Sequence, residues 1–186
     1  MVFNTFDEDL NLVLNGNKQE ISLIYGAAGT GKTTFCYIAS VKKTNNGKVI
    51  FVDTEDGFSL ERFEQIAGEN YKKLLDSMLV FRVNSFKDQQ SKIKNLLNII
   101  KKTKVSLIII DTMSSYYRRM VKSKPELANK MLNSQLRILK YIAIQIPVII
   151  TSQVYTDIEN NKISLVGSNI VKNYHKNLIK LQKNIK

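Results

Sequence analysis

The stretch Ile21-Ser22-Leu23-Ile24-Tyr25-Gly26-Ala27-Ala28-Gly29-Thr30-Gly31-Lys32-Thr33-Thr34 decides the fold. Residues Gly26 to Thr33 fit G-x-x-x-x-G-K-[ST], the phosphate-binding loop pattern. The apolar run Ile21–Tyr25 before it predicts a strand, and Thr33 to Lys43 after it predicts a helix. That strand–loop–helix context separates a phosphate loop from a Gly-rich turn. Glycines let backbone N–H groups curl around a phosphate, and the following helix N-terminus adds partial positive charge. Lys32 then reaches the β- and γ-phosphates of a nucleotide, and the Thr33 hydroxyl ligates Mg²⁺.

Outward from this stretch, strands and helices alternate. Asn45-Asn46-Gly47 predicts a turn and Lys48–Asp53 a strand. A helix is expected over Leu60–Ala67, a strand over Leu79–Val83 and a helix over Phe86–Lys102. Strands follow over Val105–Asp111 and Val148–Thr151, separated by a long helix over Leu127–Ile146. The solid apolar runs Leu107–Ile110 and Val148–Ile150 suit parallel strands buried on both faces. Late strands are expected at Ile163–Val166 and Asn177–Gln182. The pattern predicts one α/β domain over 1–186, a mainly parallel sheet flanked by helices, with a lead-in over 1–19 and a basic segment over 160–186.

At 186 residues and 44% hydrophobic composition, the chain is long enough to bury a core. No apolar run has transmembrane length, and the acidic start is unlike a signal peptide, so a cytosolic protein is expected. Cys36 is the only cysteine, which excludes an internal disulfide and suits a small buried hydrophobe. His175 is the only histidine and suits a surface or partly packed position. The net charge of +12 is uneven: residues 1–70 carry 10 acids and 6 bases, the remainder 6 acids and 22 bases. After Glu159 there are six lysines and no acid. This asymmetry fits a polyanion partner, and equally a solvated Lys-rich surface.

Two acidic motifs stand where strands end. Asp111 closes the apolar run 107–110, at the sheet edge where open α/β folds bind ligands, and is a candidate Mg²⁺ partner with Thr33. Val52-Asp53-Thr54-Glu55 offers a carboxylate to activate water, or a helix N-cap cluster. Gln153, in Thr151-Ser152-Gln153-Val154, is placed to sense a γ-phosphate, or simply ends a strand.

Taken in order, GAAGTGKTT (26–34), VDTEDGFSLERF (52–63), LIIIDTMSSYYR (107–118), LNSQLRILKYIA (132–143) and PVIITSQVYTD (147–157) resemble the core of RecA-like recombinases, particularly the short archaeal paralogues without an N-terminal DNA-binding domain. The resemblance covers about residues 20–182. It implies ATP and Mg²⁺ as cofactors, slow or DNA-modulated ATP hydrolysis, and DNA, single-stranded rather than duplex, as partner, alongside recombination proteins. By it, Glu55 matches the catalytic glutamate, Arg62 the arginine lying on adenine, and Gln153 the glutamine coupling the γ-phosphate to the DNA loops. It also implies a DNA-facing loop over Met113–Lys124, where Arg118, Arg119, Lys122 and Lys124 would contact phosphates and Tyr116 and Tyr117 would stack on bases. A second loop would fall at about Tyr155–Ser168.

The chain departs from the family pattern in three places. The lead-in lacks the usual Gly-Gly turn, Gly167-Ser168 stands where Gly-Gly is usual, and no polymerisation segment is legible. These departures weigh against strand exchange and filament formation and leave an oligomer possible. Two other functions fit the same motifs: a non-hydrolysing nucleotide-gated module, and a KaiC-like signalling ATPase that does not touch DNA. A GTPase is disfavoured because no N-K-x-D motif occurs.

Overall fold

The computed structural model describes residues 7–15, 21–157, 162–165, 167–171 and 173–183. Helix α1 (Asp7–Asn15) leads into β1 (Ile21–Gly26) and α2 (Lys32–Lys43). Then come β2 (Lys48–Asp53), α3 (Leu60–Ala67), α4 (Tyr71–Leu75), β3 (Met78–Arg82), α5 (Phe86–Lys102) and β4 (Val105–Asp111). The second half holds α6 (Ser115–Val121), α7 (Pro125–Ala143), β5 (Val148–Asp157), β6 (Lys162–Leu165), α8 (Ser168–Val171) and β7 (His175–Lys180).

Six strands form a parallel sheet in the order β3-β2-β4-β5-β1-β7, and β6 pairs antiparallel with β5. The apolar runs are buried on both sides because successive residues point to opposite faces. On one face Ile50, Val52, Ile108, Ile110 and Ile150 pack with Ile93, Leu96, Leu132, Leu136 and Leu139 of α5 and α7. On the other, Val49, Phe51, Ile109 and Ile149 meet Phe35 and Cys36 of α2 and Phe63 of α3. Cys36 is fully buried there, as its small apolar role requires. Leu136 is also fully buried, so Leu136→Ala opens a cavity under the central strands. The expected loss is about 2–5 kcal/mol of unfolding free energy, read from urea titration. A change under about 1 kcal/mol would mean that this layer is loosely packed.

Helix starts follow their capping residues. Ser59 accepts a hydrogen bond from the Arg62 backbone N–H (3.1 Å) and opens α3. Ser85 accepts from Asp88 N–H (3.0 Å), while the Asp88 carboxylate accepts from Asn84 N–H (2.9 Å), closing both ends of the first turn of α5. Pro125 fits the first turn of α7, where its missing N–H costs nothing.

Several boundaries differ from the sequence reading. Helix α7 starts at Pro125 and ends at Ala143. Strand β7 occupies 175–180 rather than 177–182, and β6 occupies 162–165; Val166 lies outside the described residues. The loop expected over Met113–Lys124 is instead mostly helical, as α6. The cause is its apolar face: Tyr117 is buried, and Met120 and Val121 pack against the same core as α7. The second loop, over 155–168, lies partly outside the described residues; its described flanks form the β5–β6 pair.

Candidate functional site

The sheet register lines up the site along one edge. Asp53 pairs with Asp111 across β2 and β4, and Gly26 pairs with Gln153 across β1 and β5. All four stand at or near the carboxyl ends of the parallel strands, where ligands of open parallel sheets bind. An open cleft of about 580 Å³ lies over this edge. The phosphate-loop residues Ala28 to Thr34 line it, together with Glu55, Arg62, Asp111, Thr112 and Gln153.

Gly29 (φ 70°) and Gly31 (φ 93°) take left-handed conformations that turn the loop back on itself. Lys32 is 7% exposed, and its Nζ donates to the carbonyls of Gly26 (3.0 Å) and Ala27 (2.7 Å). Burial pushes the Lys32 pKa down, while the carboxylates of Asp111 and Glu55 push it back up. Burial is the larger effect, so the net shift is downward.

Asp111 is 7% exposed and accepts from Thr33 Oγ1 (2.7 Å) and from Thr151 Oγ1. Burial raises its pKa, and the two hydroxyl donors oppose that. A hydroxyl and a carboxylate in contact beside a phosphate loop make a hard-oxygen pair suited to Mg²⁺, which usually takes its other ligands from phosphates and water. Among the described residues, no group of three or more His, Cys, Asp or Glu could hold a metal unaided. The Thr33–Asp111 pair has the chemistry for a cation that takes its remaining ligands from phosphate oxygens and water. Thr54 locks the adjacent strand ends, its hydroxyl donating to Thr112 O (2.7 Å) and accepting from Thr112 N (2.8 Å).

The acid cluster 53–55 divides its roles between residues. Buried Asp53 organises the turn rather than capping a helix, since Ser59 is the N-cap of α3: its carboxylate accepts from the backbone N–H groups of Glu55 (3.1 Å), Gly57 (3.1 Å) and Phe58 (2.8 Å). That turn aims Glu55 into the cleft instead. Gln153 Nε2 donates to both Glu55 oxygens, at 3.1 and 3.3 Å. Partial desolvation in the cleft and the Asp111 charge raise the Glu55 pKa; Lys32, the Gln153 hydrogen bond and Arg118 oppose the rise. Arg62 lines the far side of the cleft on α3 and donates to Gln65 Oε1 (3.0 Å).

Helix α6 sorts the remaining candidates. Arg118, Arg119, Lys122 and Lys124 are exposed on or just after it. Tyr117 is not a free stacking platform: it is 6% exposed, its hydroxyl donates to Asn129 Oδ1 (2.8 Å), and its ring meets Phe86 edge-on. Helical periodicity turns it inward while its basic neighbours turn outward. Tyr116 is half-buried, donates to Val83 O (2.7 Å) and carries the Arg119 guanidinium 5.3 Å above its ring.

Sequence reasoning missed the segment after β7. Leu181 N–H donates to Tyr25 O (2.8 Å), and Leu181 O lies so close to Gly26 that a Cβ there would collide with it. Lys183 Nζ lies 3.3 Å from the point where a Cβ on Gly29 would stand. The first glycine of the loop is thus needed for close backbone approach, while Gly29 and Gly31 supply the turn. The run of glycines was the one available signal, and it does not name the partner.

The ordered motifs extend to known proteins. The Rad51 family model matches residues 1–183. The DNA repair and recombination protein RadB of Methanocaldococcus jannaschii is 37% identical over 177 residues, covering 92% of this chain and 82% of that protein. The RadB proteins of Methanococcoides burtonii and Methanoculleus marisnigri are 35% and 34% identical over 173 residues each, covering 88% and 89% of this chain and 74% and 75% of theirs. With a parallel sheet, a phosphate loop after β1 and an acid at the end of β4 in the family order, this chain belongs to the Rad51 family of RecA-like recombinases.

Proposed function

We propose that this chain binds ATP with Mg²⁺, hydrolyses it slowly, and binds single-stranded DNA along α6, assisting homologous recombination and DNA repair in the cytosol as an accessory to a full recombinase. The observation that carries the reading is the contact between Glu55 and Gln153. It joins the candidate water-activating carboxylate to the strand end beside α6, whose outer face is basic. Residues 26–33 hold the phosphates, with Lys32 supplying a point charge. Thr33 and Asp111 hold Mg²⁺, which supplies charge neutralisation at the phosphates when bound. Glu55 accepts the proton of the attacking water. Arg62 lies against the base. Arg118, Arg119, Lys122 and Lys124 contact DNA phosphates, and Tyr116 supports Arg119 from below.

The DNA face has a direct test. Each phosphate neutralised releases condensed counterions, so log affinity falls linearly with log salt. Replacing Arg119 and Lys122 by alanine weakens binding to an oligonucleotide regardless of its sequence and flattens that slope by roughly one unit or more. Fluorescence anisotropy at several salt concentrations, with ATP and Mg²⁺ present, reads both quantities. A double mutant with unchanged affinity and slope places DNA elsewhere and favours a signalling ATPase.

A further inference from the structure

The chain leaves β7 at the same sheet edge where β1 turns into the phosphate loop. The two strands pair in parallel as far as Tyr25 and Lys180. Beyond them Leu181, itself buried, donates its N–H to Tyr25 O (2.8 Å) and sets its carbonyl against Gly26. Two residues later the chain stands over the loop. Lys183 Nζ and Cε lie 3.3 and 3.4 Å from the point where a Cβ on Gly29 would stand, at the loop's left-handed bend. The charged end of the side chain makes this contact, not its stem alone. Among the described residues no carboxylate pairs with this ammonium. A second cation on a loop that already carries Lys32 and a helix N-terminus is unfavourable by itself. It becomes favourable once a polyanion enters the same space.

We propose that Lys183 is a second cation of the phosphate site, an arm that reaches the polyphosphate of a nucleoside triphosphate from the rim of the cleft. The inference rests on the proposed ATP-binding reading and adds to it a residue from the other end of the chain. Residues Ala28 to Thr34 form the cleft wall, and Lys183 is exposed just outside it, over Gly29. Lysine carries its charge on a flexible four-carbon stem. The ammonium therefore swings inward while the backbone stays fixed at Leu181. That tether distinguishes Lys183 from a solvated surface lysine, whose backbone has no tie to the loop. The two lysines then act differently. Lys32 is a fixed, buried charge anchored to the Gly26 and Ala27 carbonyls. Lys183 acts through water, so its contribution is smaller and fades as salt screens it. It also grows with the charge of the ligand, which makes Lys183 a specificity-determining residue that favours triphosphate over diphosphate.

The test is equilibrium binding of ATP and of ADP to the full chain, with Mg²⁺, by isothermal titration at low and at high salt. It compares wild type, Lys183→Met and Lys183→Arg, with Lys32→Ala as the reference. Methionine keeps an apolar stem and removes only the charge. Lys183→Met is expected to weaken ATP binding about three- to tenfold at low salt, less than the loss of buried Lys32, and to weaken ADP binding by a smaller factor. High salt brings Lys183→Met and wild type together, and Lys183→Arg keeps the wild-type ATP affinity. Thermal unfolding without nucleotide gives all three the same Tm, since an exposed, unpaired ammonium adds no stability. Added ATP then raises the Tm of Lys183→Met less than that of wild type. Wild-type ATP affinity in Lys183→Met overturns the proposal. So does a loss that is equal for ATP and ADP, or that persists at high salt, because either marks a packing role. In each of these cases the ATP-binding reading stands, provided wild type binds ATP and Lys32→Ala binds it more weakly. A wild-type chain that binds no ATP overturns both.

Discussion

Lys32→Ala is expected to weaken ATP binding about ten- to a hundredfold while leaving the fold intact. The magnitude follows from the charge that the substitution removes. Lys32 Nζ is buried at the mouth of the phosphate loop, already directed at the Gly26 and Ala27 carbonyls. In the proposed ATP complex the same ammonium faces phosphate oxygens, and hydrogen bonds to charged groups contribute about 1.5–3 kcal/mol each. That range converts to roughly one to two decades in Kd. The fold persists because the core layers on both faces of the sheet do not involve the ammonium. Isothermal titration with ATP and Mg²⁺ measures the loss, and circular dichroism checks the fold. Equal affinity and turnover in a folded mutant would remove Lys32 from the site.

Glu55→Gln has the largest expected effect on rate. General-base catalysis contributes about 10²–10⁴-fold, and an amide keeps the carboxylate's shape without its basicity. Turnover is expected to fall by that factor with KM for ATP nearly unchanged, the signature of a group that acts in the transition state. The contact with Gln153 survives in altered form, since two facing amides still hydrogen-bond. A steady-state phosphate-release assay gives kcat and KM together. Turnover at the wild-type level would leave Glu55 as a structural partner of Gln153 and no more.

The central sheet was legible because its strands are buried on both faces, which forces unbroken apolar runs such as Leu107–Ile110. Helix α5 matched its expected bounds because Ser85 and Asp88 cap it locally. Helix α6 was hidden because the resemblance implied a DNA-facing loop there, and its inward face rests on few residues, Tyr117 among them. Helix α1 is short and gains its burial from Leu10, Val13 and Leu14 against distant elements. The phosphate loop and Asp111 were readable as motifs. The division of labour between Asp53 and Glu55 was not, because it depends on which carboxylate the turn's N–H groups reach. The Arg118–Gln153–Glu55 chain joins residues up to 98 positions apart and leaves no local trace.

The central claim is that this Rad51-family chain is a Mg²⁺-dependent ATPase whose turnover answers to DNA. The most direct measurement is ATP hydrolysis across a titration of single-stranded oligonucleotide, with Mg²⁺ present and with it chelated, and with Glu55→Gln as the control. The expected result is slow hydrolysis that needs Mg²⁺, rises and saturates with DNA, and is lost in the glutamine variant. ATP binding without hydrolysis at any DNA concentration would contradict the claim and point instead to a nucleotide-gated module.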